Sequence, residues 1–256
     1  MNIHPTAVIE KGASLMEGVR VGAHAYIGGS VSIGEGTIIQ HHASVEGKTV
    51  LGKNNNVFPY ALLGGQTQDL KYEGDQVGLV IGDHNIFREY MSVHCGTREG
   101  SVTKIGHHNA FLAYSHVAHD CDVGNHVIMS SLSALAGYVE VGDYANIAWN
   151  SGVHQFCRIG KYAMVAASSK VLMDVLPFML VEGQPARTRT FNKINLERNQ
   201  FSVEEIERVK DIYRILFHSK ENRSQALLRL KALGDEAPHI YGSVIAFIEK
   251  SQRGFC

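Results

Sequence analysis

Apolar residues recur at every sixth position of this chain. Starting at Ile3 the beat runs Ile3, Ile9, Leu15, Val21, Ile27, Ile33, Ile39, Val45, Leu51, Val57 and Leu63, returns in phase at Ile81, Phe87 and Val93, and continues from Ile105 to Val171. Of its 29 positions, 26 are large and apolar. With apolar types making up about half of an ordinary chain, chance gives such a run about once in 10^5. Two positions ahead of the beat the residue is small or β-branched, as at Ala7, Ala25, Thr37, Ser115, Ser133, Ala145 and Ala163. Neither a helix nor a hairpin sheet has this period; short parallel strands joined by tight corners do, stacked as a β-solenoid with both positions pointing inward. Gly34, Gly52, Gly106, Gly124, Gly142 and Gly160 are separated by multiples of 18. Three hexapeptides therefore make a coil, these glycines share a corner, and successive coils rise by about 4.8 Å. The exceptions to the beat, Asp69, Asp75 and Glu99, mark insertion loops near 64–80 and 94–104.

Beyond about Asn192 a helical period takes over. In "FSVEEIERVKDIYRILFHS" Ser202 and Glu205 have the spacing of a capping box, and Ile206, Val209, Ile212, Tyr213, Leu216 and Phe217 fall on one stripe. "SQALLRLKALG", with Gly234 as its stop, and the segment after Pro238 predict two more helices. The chain divides into a solenoid over 1–191 and a helical domain over 192–256 that caps its open end.

Composition narrows the function classes. Lys+Arg 24 against Asp+Glu 25 gives a formal net charge of −1, too little field to grip nucleic acid or an anionic membrane nonspecifically. No apolar run reaches the roughly 18 residues of a membrane span, and "MNIHPTAVIEKG" lacks the basic and apolar regions of a signal peptide. The expectation is a cytoplasmic protein with no stable membrane insertion. Cys95, Cys121, Cys157 and Cys256 show neither a disulfide framework nor a CxxC metal spacing and read as free thiols.

The candidate chemistry lies in "SHVAHDCDVGNHV", Ser115 to Val127. Residues one coil apart lie above one another, so His119, Gly137 and Gln155 form a column, Asp120 and Tyr138 the neighbouring one, and His154 lies beside Gln155. One corner thus gathers an imidazole, a carboxylate and a backbone amide bare of side chain, a composition suited to acid–base chemistry on a neutral group. His116 and His119 have the look of a metal pair, but no third ligand stands at a recognised spacing, and metal is not expected. The bland alternative is a wall of packed or solvated histidines.

The stretches "NVFPYALLGGQTQDLKYEGD", "SHVAHDC", "SALAGYVEV" and "SGVHQFCRIG" stand in this order among hexapeptide repeats that, with the helical tail, cover nearly the whole chain. Together they resemble the hexapeptide-repeat UDP-N-acetylglucosamine O-acyltransferase family, which opens lipid A biosynthesis. The resemblance implies an all-β left-handed parallel β-helix, three strands per coil, with a C-terminal α-helical domain, assembled as a homotrimer with active sites between adjacent subunits. It implies transfer of a 3-hydroxyacyl chain from acyl carrier protein to the glucosamine 3-hydroxyl of UDP-N-acetylglucosamine. No cofactor is implied beyond the 4'-phosphopantetheine that arrives on the donor. His119 would be the general base, Asp120 its orienting partner and Gly137 the oxyanion donor. His116, His154 and Gln155 match substrate-contacting positions; Asp69 and Lys71 match residues holding the sugar and the acyl 3-hydroxyl; Asn192 and Arg198 match positions near the nucleotide and the carrier arm. Acyl carrier protein is acidic, and between Arg158 and Arg198 seven basic residues face three acidic ones, a surplus suited to steering it.

Four positions depart from the family pattern. Tyr138 stands where histidine commonly follows "LAG", Pro185 replaces a histidine, Ile194 a glutamate, and Ala167 occupies the place of a glycine that limits the acyl pocket. An acceptor with a 3-amino group, giving an amide, therefore stays open beside the ester. Other rivals are a later N-acyltransferase of the same pathway, a coenzyme A acetyltransferase, for which the Asp69 loop and helical tail would be unexpected, and a purely structural solenoid.

Overall fold

The structure, a computed structural model, describes residues 2–234 and 237–256. Short parallel strands, from β1 (Asn2–Ile3) to β26 (Lys170–Val171), wind through three sheets of 11, 9 and 8 strands, each strand pairing with the third one before and after it. The 11-stranded sheet also takes in the antiparallel hairpin of β27 (Met179–Gly183) and β28 (Ala186–Phe191). Most strands have two residues, one turned inward. The beat residues Ile27, Val45, Leu63, Phe87, Phe111, Leu135 and Val165 are fully buried, as are Ala25, Thr37, Ser133 and Ala163 two positions ahead of them. Large and small inward residues alternate, which fills a cross-section only a few side chains wide.

Most corners turn through one residue in the left-handed region, and it is usually not glycine. Along one edge these are His84, His108, His126, Tyr144 and Tyr162, with φ between 56° and 59°. Their rings stack with centroids 4.8, 5.0, 4.5 and 4.8 Å apart, the rise of the coil itself. The strain of the turn is thus set against aromatic contact repeated coil after coil.

The glycine column is present but has one more member than the 18-residue spacing predicts. A Cβ on Gly34 would lie 2.6 Å from the Gly52 carbonyl carbon, one on Gly52 would lie 2.5 Å from the Gly82 oxygen, and one on Gly82 would lie 2.7 Å from the Gly106 oxygen. Leu51 pairs with Ile81, thirty positions on, and Ile81 with Ile105, twenty-four on. The first loop therefore inserts twelve residues and the second six, together one coil length. Phase survives across them although Gly52 and Gly106 are two coils apart rather than three.

The hairpin was not anticipated, because Met179–Phe191 carries no six-residue beat. Leu180 pairs with Met164 and Val181 with Val165, which extends the first sheet beyond Val171. Among the described residues four helices follow: α1 (Lys193–Arg198), α2 (Val203–Phe217), α3 (Arg223–Ala232) and α4 (Tyr241–Lys250). The Ser202–Glu205 capping box forms, and Asn222 with Gln225 makes a second one ahead of α3. On α2 the buried stripe is Ile206, Val209, Ile212 and Ile215, with Leu216 only half-buried. These side chains join Leu176, Phe178, Leu196, Leu230 and Val244 in a core of their own, against the last coils.

Candidate active site

The dyad predicted from sequence forms. His119 and Asp120 occupy the corner after β17 (His116–Val117), with Asp120 in the left-handed region at φ 58°. The turn brings two successive side chains together, and His119 Nδ1 lies 2.8 Å from Asp120 Oδ2. The carboxylate side chain is 5% exposed and the imidazole 14%. Burial alone would raise the Asp120 carboxyl, but the hydrogen bond and charge of His119, with the Ser101 and Thr97 hydroxyls nearby, outweigh it and hold the group below its ordinary value. An ionised Asp120 can only accept, so Nδ1 carries the proton and Nε2 keeps its lone pair.

Register places the rest. His116 pairs with Ala134 and Ala134 with Gly152, so Gly137 falls one coil beyond His119 and Gln155 two. A Cβ on Gly137 would sit 2.4 Å from His119 Cε1 and 2.5 Å from Nε2. Any side chain there would displace the imidazole. Tyr138, the next residue, stands edge-on to His119 at 5.4 Å and stacks on Phe156 at 4.9 Å. Burial first, and then the Asp120 charge, push its phenol up.

His119 opens into a cleft of about 860 Å³ that Asp69, Lys71, His116, Gly137, His154 and Gln155 also line. Seven of the residues singled out from the sequence thus share one concavity in a single chain. Lys170, from the strand two coils beyond His116's neighbour β20 (Ala134–Leu135), adds a cation to it. The loop end of the cleft is held in place from behind: the Lys71 amide bonds to Asp69 Oδ1 at 3.0 Å, and Arg98 Nη1 donates to the Lys71 carbonyl at 2.9 Å.

His116 bonds to Ser92 Oγ through Nδ1 at 2.8 Å. Burial, then the neighbouring His94 and His119, pushes its pKa down to about 4, so it meets a substrate as a neutral imidazole. His94, which sequence reasoning missed, packs its ring 4.8 Å from that of His116, is 5% exposed and leaves Nδ1 without a partner. A count by eighteens could not find it. Val93 pairs with Val117, twenty-four residues on, and only after subtracting the six-residue insertion does His94 fall beside the dyad.

Besides Asp120, which stands behind His119, three expected residues lie outside the cleft. Asn192 is buried, caps α1 and donates to the Tyr162 carbonyl at 2.9 Å. Arg198 is exposed at the end of that helix, and Ala167 is exposed on a solenoid corner. The basic surplus is also smaller in space than in sequence, because Arg158 pairs with Glu140 at 2.9 Å, Arg189 with Glu182 at 3.5 Å and Lys193 with Glu197 at 3.4 Å. All four cysteines are free and buried. Among the described residues no group of three His, Cys, Asp or Glu side chains is arranged to hold a metal ion, and no helix is long and apolar enough to cross a membrane.

Comparison with known proteins agrees with this fold. A family model described as UDP N-acetylglucosamine O-acyltransferase, domain 2, matches residues 174–256. An acyl-(acyl-carrier-protein)–UDP-N-acetylglucosamine O-acyltransferase of Akkermansia muciniphila is 49% identical over 99% of this chain and 98% of its own length. Its counterpart in Myxococcus xanthus is 43% identical over 98% of both. The solved UDP-N-acetylglucosamine acyltransferase of Francisella novicida superposes with a TM-score of 0.96 at 35% identity, covering 99% of this chain and 93% of that one. The one from Moraxella catarrhalis gives 0.95 at 36% identity, covering 100% and 99%. The solenoid accordingly has the left-handed coil of these structures, against the usual right-handed crossover. With such identity held from end to end, the chain belongs to the UDP-N-acetylglucosamine O-acyltransferase family.

Proposed function

We propose that this protein transfers a 3-hydroxyacyl group from acyl carrier protein to the glucosamine 3-hydroxyl of UDP-N-acetylglucosamine, the first step of lipid A biosynthesis, with His119 as general base. The observation that carries the mechanism is the His119–Asp120 contact of 2.8 Å, which leaves Nε2 free at the cleft. A sugar hydroxyl is a weak nucleophile near neutral pH, whereas an imidazole has an ordinary pKa of about 6.5 and can take its proton as the bond forms. The hydroxyl oxygen attacks the thioester carbonyl, and its proton passes to Nε2. The carbonyl electrons move onto oxygen, where the Gly137 N–H stabilises them. Collapse breaks the carbon–sulfur bond, and the proton on His119 goes to the departing phosphopantetheine thiol. Neutral His116, His154 and Gln155 position the sugar, and Asp69 and Lys71 hold the sugar and the acyl 3-hydroxyl.

The active unit is a homotrimer in the cytoplasm. Asn192, Arg198 and Ala167 lie away from the cleft of their own chain, so a role for them at a substrate calls for a cleft completed by the adjacent subunit. A ridge of exposed Tyr60, Tyr90, Tyr114, Leu132 and Trp149, beside Ala167, offers the apolar surface for that contact. A radiolabelled transfer assay, with UDP-N-acetylglucosamine and its 3-amino analogue as acceptors and carrier-bound 3-hydroxyacyl donors of different lengths, tests this reading. Ester formed on the first acceptor is expected; product on the amino analogue alone would overturn O-acylation. Ala167 sets the depth of the acyl tail, so Ala167→Gly shifts the preferred donor longer by about one or two carbons. Identical length profiles for the two proteins would remove that role.

A further inference from the structure

Lys170 lines the cleft, yet the acyl transfer described above gives it no task. Pairing puts it at the head of a column on the outer face of the second sheet: His116 pairs with Ala134, Ala134 with Gly152 and Gly152 with Lys170. Three coil rises, about 14 Å, therefore separate the imidazole's strand from the lysine's. Between them the wall carries only a methyl group and a hydrogen, and a Cβ on Gly152 would meet nothing within 4 Å. A narrow uncharged trough thus runs alongside the His119, Gly137 and Gln155 column and ends at a cation. β26, which bears Lys170, is the last strand of its sheet, and the lysine is exposed there. Arg158, Arg189 and Lys193 pair with carboxylates of their own chain, but Lys170 has no such partner among the described residues. Among those residues the one carboxylate lining the cleft is Asp69, at its opposite, loop end. Arg253 Nη2 donates to the carbonyl of Leu172, another lining residue, at 3.3 Å and brings a guanidinium beside the same end as Lys170.

We propose that Lys170 binds a substrate phosphate at the far end of the cleft. The proposal rests on the acyl-transfer reading above, in which both substrates carry phosphate. In the sugar nucleotide the diphosphate and the 3-hydroxyl stand on one six-membered ring. In the donor a long uncharged pantetheine chain separates the phosphate from the thioester, as the bare trough separates Lys170 from His119, so the donor's phosphate is the expected occupant. A lysine ammonium suits the role, because it is a point charge on a flexible stem and holds phosphate without a fixed fork.

The test compares wild-type protein with Lys170→Gln and Lys170→Arg in the radiolabelled transfer assay. The donors are the carrier-bound one, then 3-hydroxyacyl-phosphopantetheine and 3-hydroxyacyl-pantetheine, which differ only in the phosphate. Glutamine keeps much of the stem and removes the charge. Lys170→Gln is expected to raise KM for the carrier-bound donor about tenfold, with the loss in KM rather than in kcat. Wild-type protein should use the phosphorylated arm about tenfold better in kcat/KM, and Lys170→Gln should distinguish the two arms by less than about twofold. Lys170→Arg keeps the preference, and added salt narrows it. A KM rise confined to UDP-N-acetylglucosamine would assign the same role to its diphosphate. Unchanged KM for both substrates in Lys170→Gln overturns the proposal and leaves the dyad standing. A loss equal for the two arms, or one that Lys170→Arg shares, marks a packing role and also overturns it. Absence of transfer by the wild-type protein is a different failure, which removes the acyl-transfer reading and the phosphate site with it.

Discussion

Two groups of three histidines share this solenoid and do different work. His84, His108 and His126 form a ladder on one corner, with planes 2° and 4° apart and centroids 4.8 and 5.0 Å apart, all exposed. His94, His116 and His119 gather on the second sheet and its following corner, in the cleft, turned edge-on or aside rather than stacked. Burial and the neighbouring His126, His84 and His107 push His108 down, with only Asp83 opposing them. His119 instead meets a carboxylate at hydrogen-bond distance. Residue type is the same in the two groups. The difference lies in what each ring faces: another ring gives a wall, and a buried carboxylate with a bare amide beyond it gives a base.

Removing the base should separate the groups most widely. His119→Ala is expected to fold normally and lose at least about a hundredfold in kcat, roughly 3 kcal/mol of transition-state stabilisation, and near-wild-type turnover in the labelled-acyl assay would sink the mechanism. Asp120→Asn keeps an acceptor oxygen beside Nδ1 but not the charge, and a loss of about 10- to 100-fold is expected. Unchanged rate and pH profile would mean that the two side chains do not act together.

The next contrast concerns acid. His116 has its pKa pushed down to about 4 from an ordinary 6.5 by burial, His94 and His119. Between those values the unfolded chain binds the proton and the folded one does not, so stability falls as pH drops from about 6.5 to about 4 and levels off below. The partial burial of His116 limits the effect to about 2 kcal/mol. Urea midpoints across that range should decline less steeply for His116→Gln; parallel curves would show that His116 titrates normally. The smallest effect is expected in the ladder. His126→Ala loses ring contacts at 5.0 and 4.5 Å to His108 and Tyr144, so the melting temperature should dip slightly while kcat stays within about twofold. A large loss of turnover would erase the distinction between wall and site.

The solenoid was legible because its interior admits one large side chain per hexapeptide, and a miss at Asp69 or Glu99 signals that the chain has left the wall. Stacking by eighteens likewise brought His119, Gly137 and Gln155 together without any structure. The hand of the coil left no trace in the period. The hairpin at Met179–Phe191 escaped because its residues pack against the helical core as well as the solenoid and so lose the beat. His94 and Gly82 were hidden by the insertions, which displace residues by lengths that show only in the pairing.

The two insertions have one further consequence. Wound into the wall, their eighteen residues would have built one more storey, its three large inward side chains each contributing about 1.5–3 kcal/mol of burial. The molecule stands one storey shorter than its length allows. That length of chain hangs outside as a pair of clasped fingers, with acids where the buried residues would have been and Asp69 and Lys71 at the cleft. Stability forgone along the axis has become grip across it.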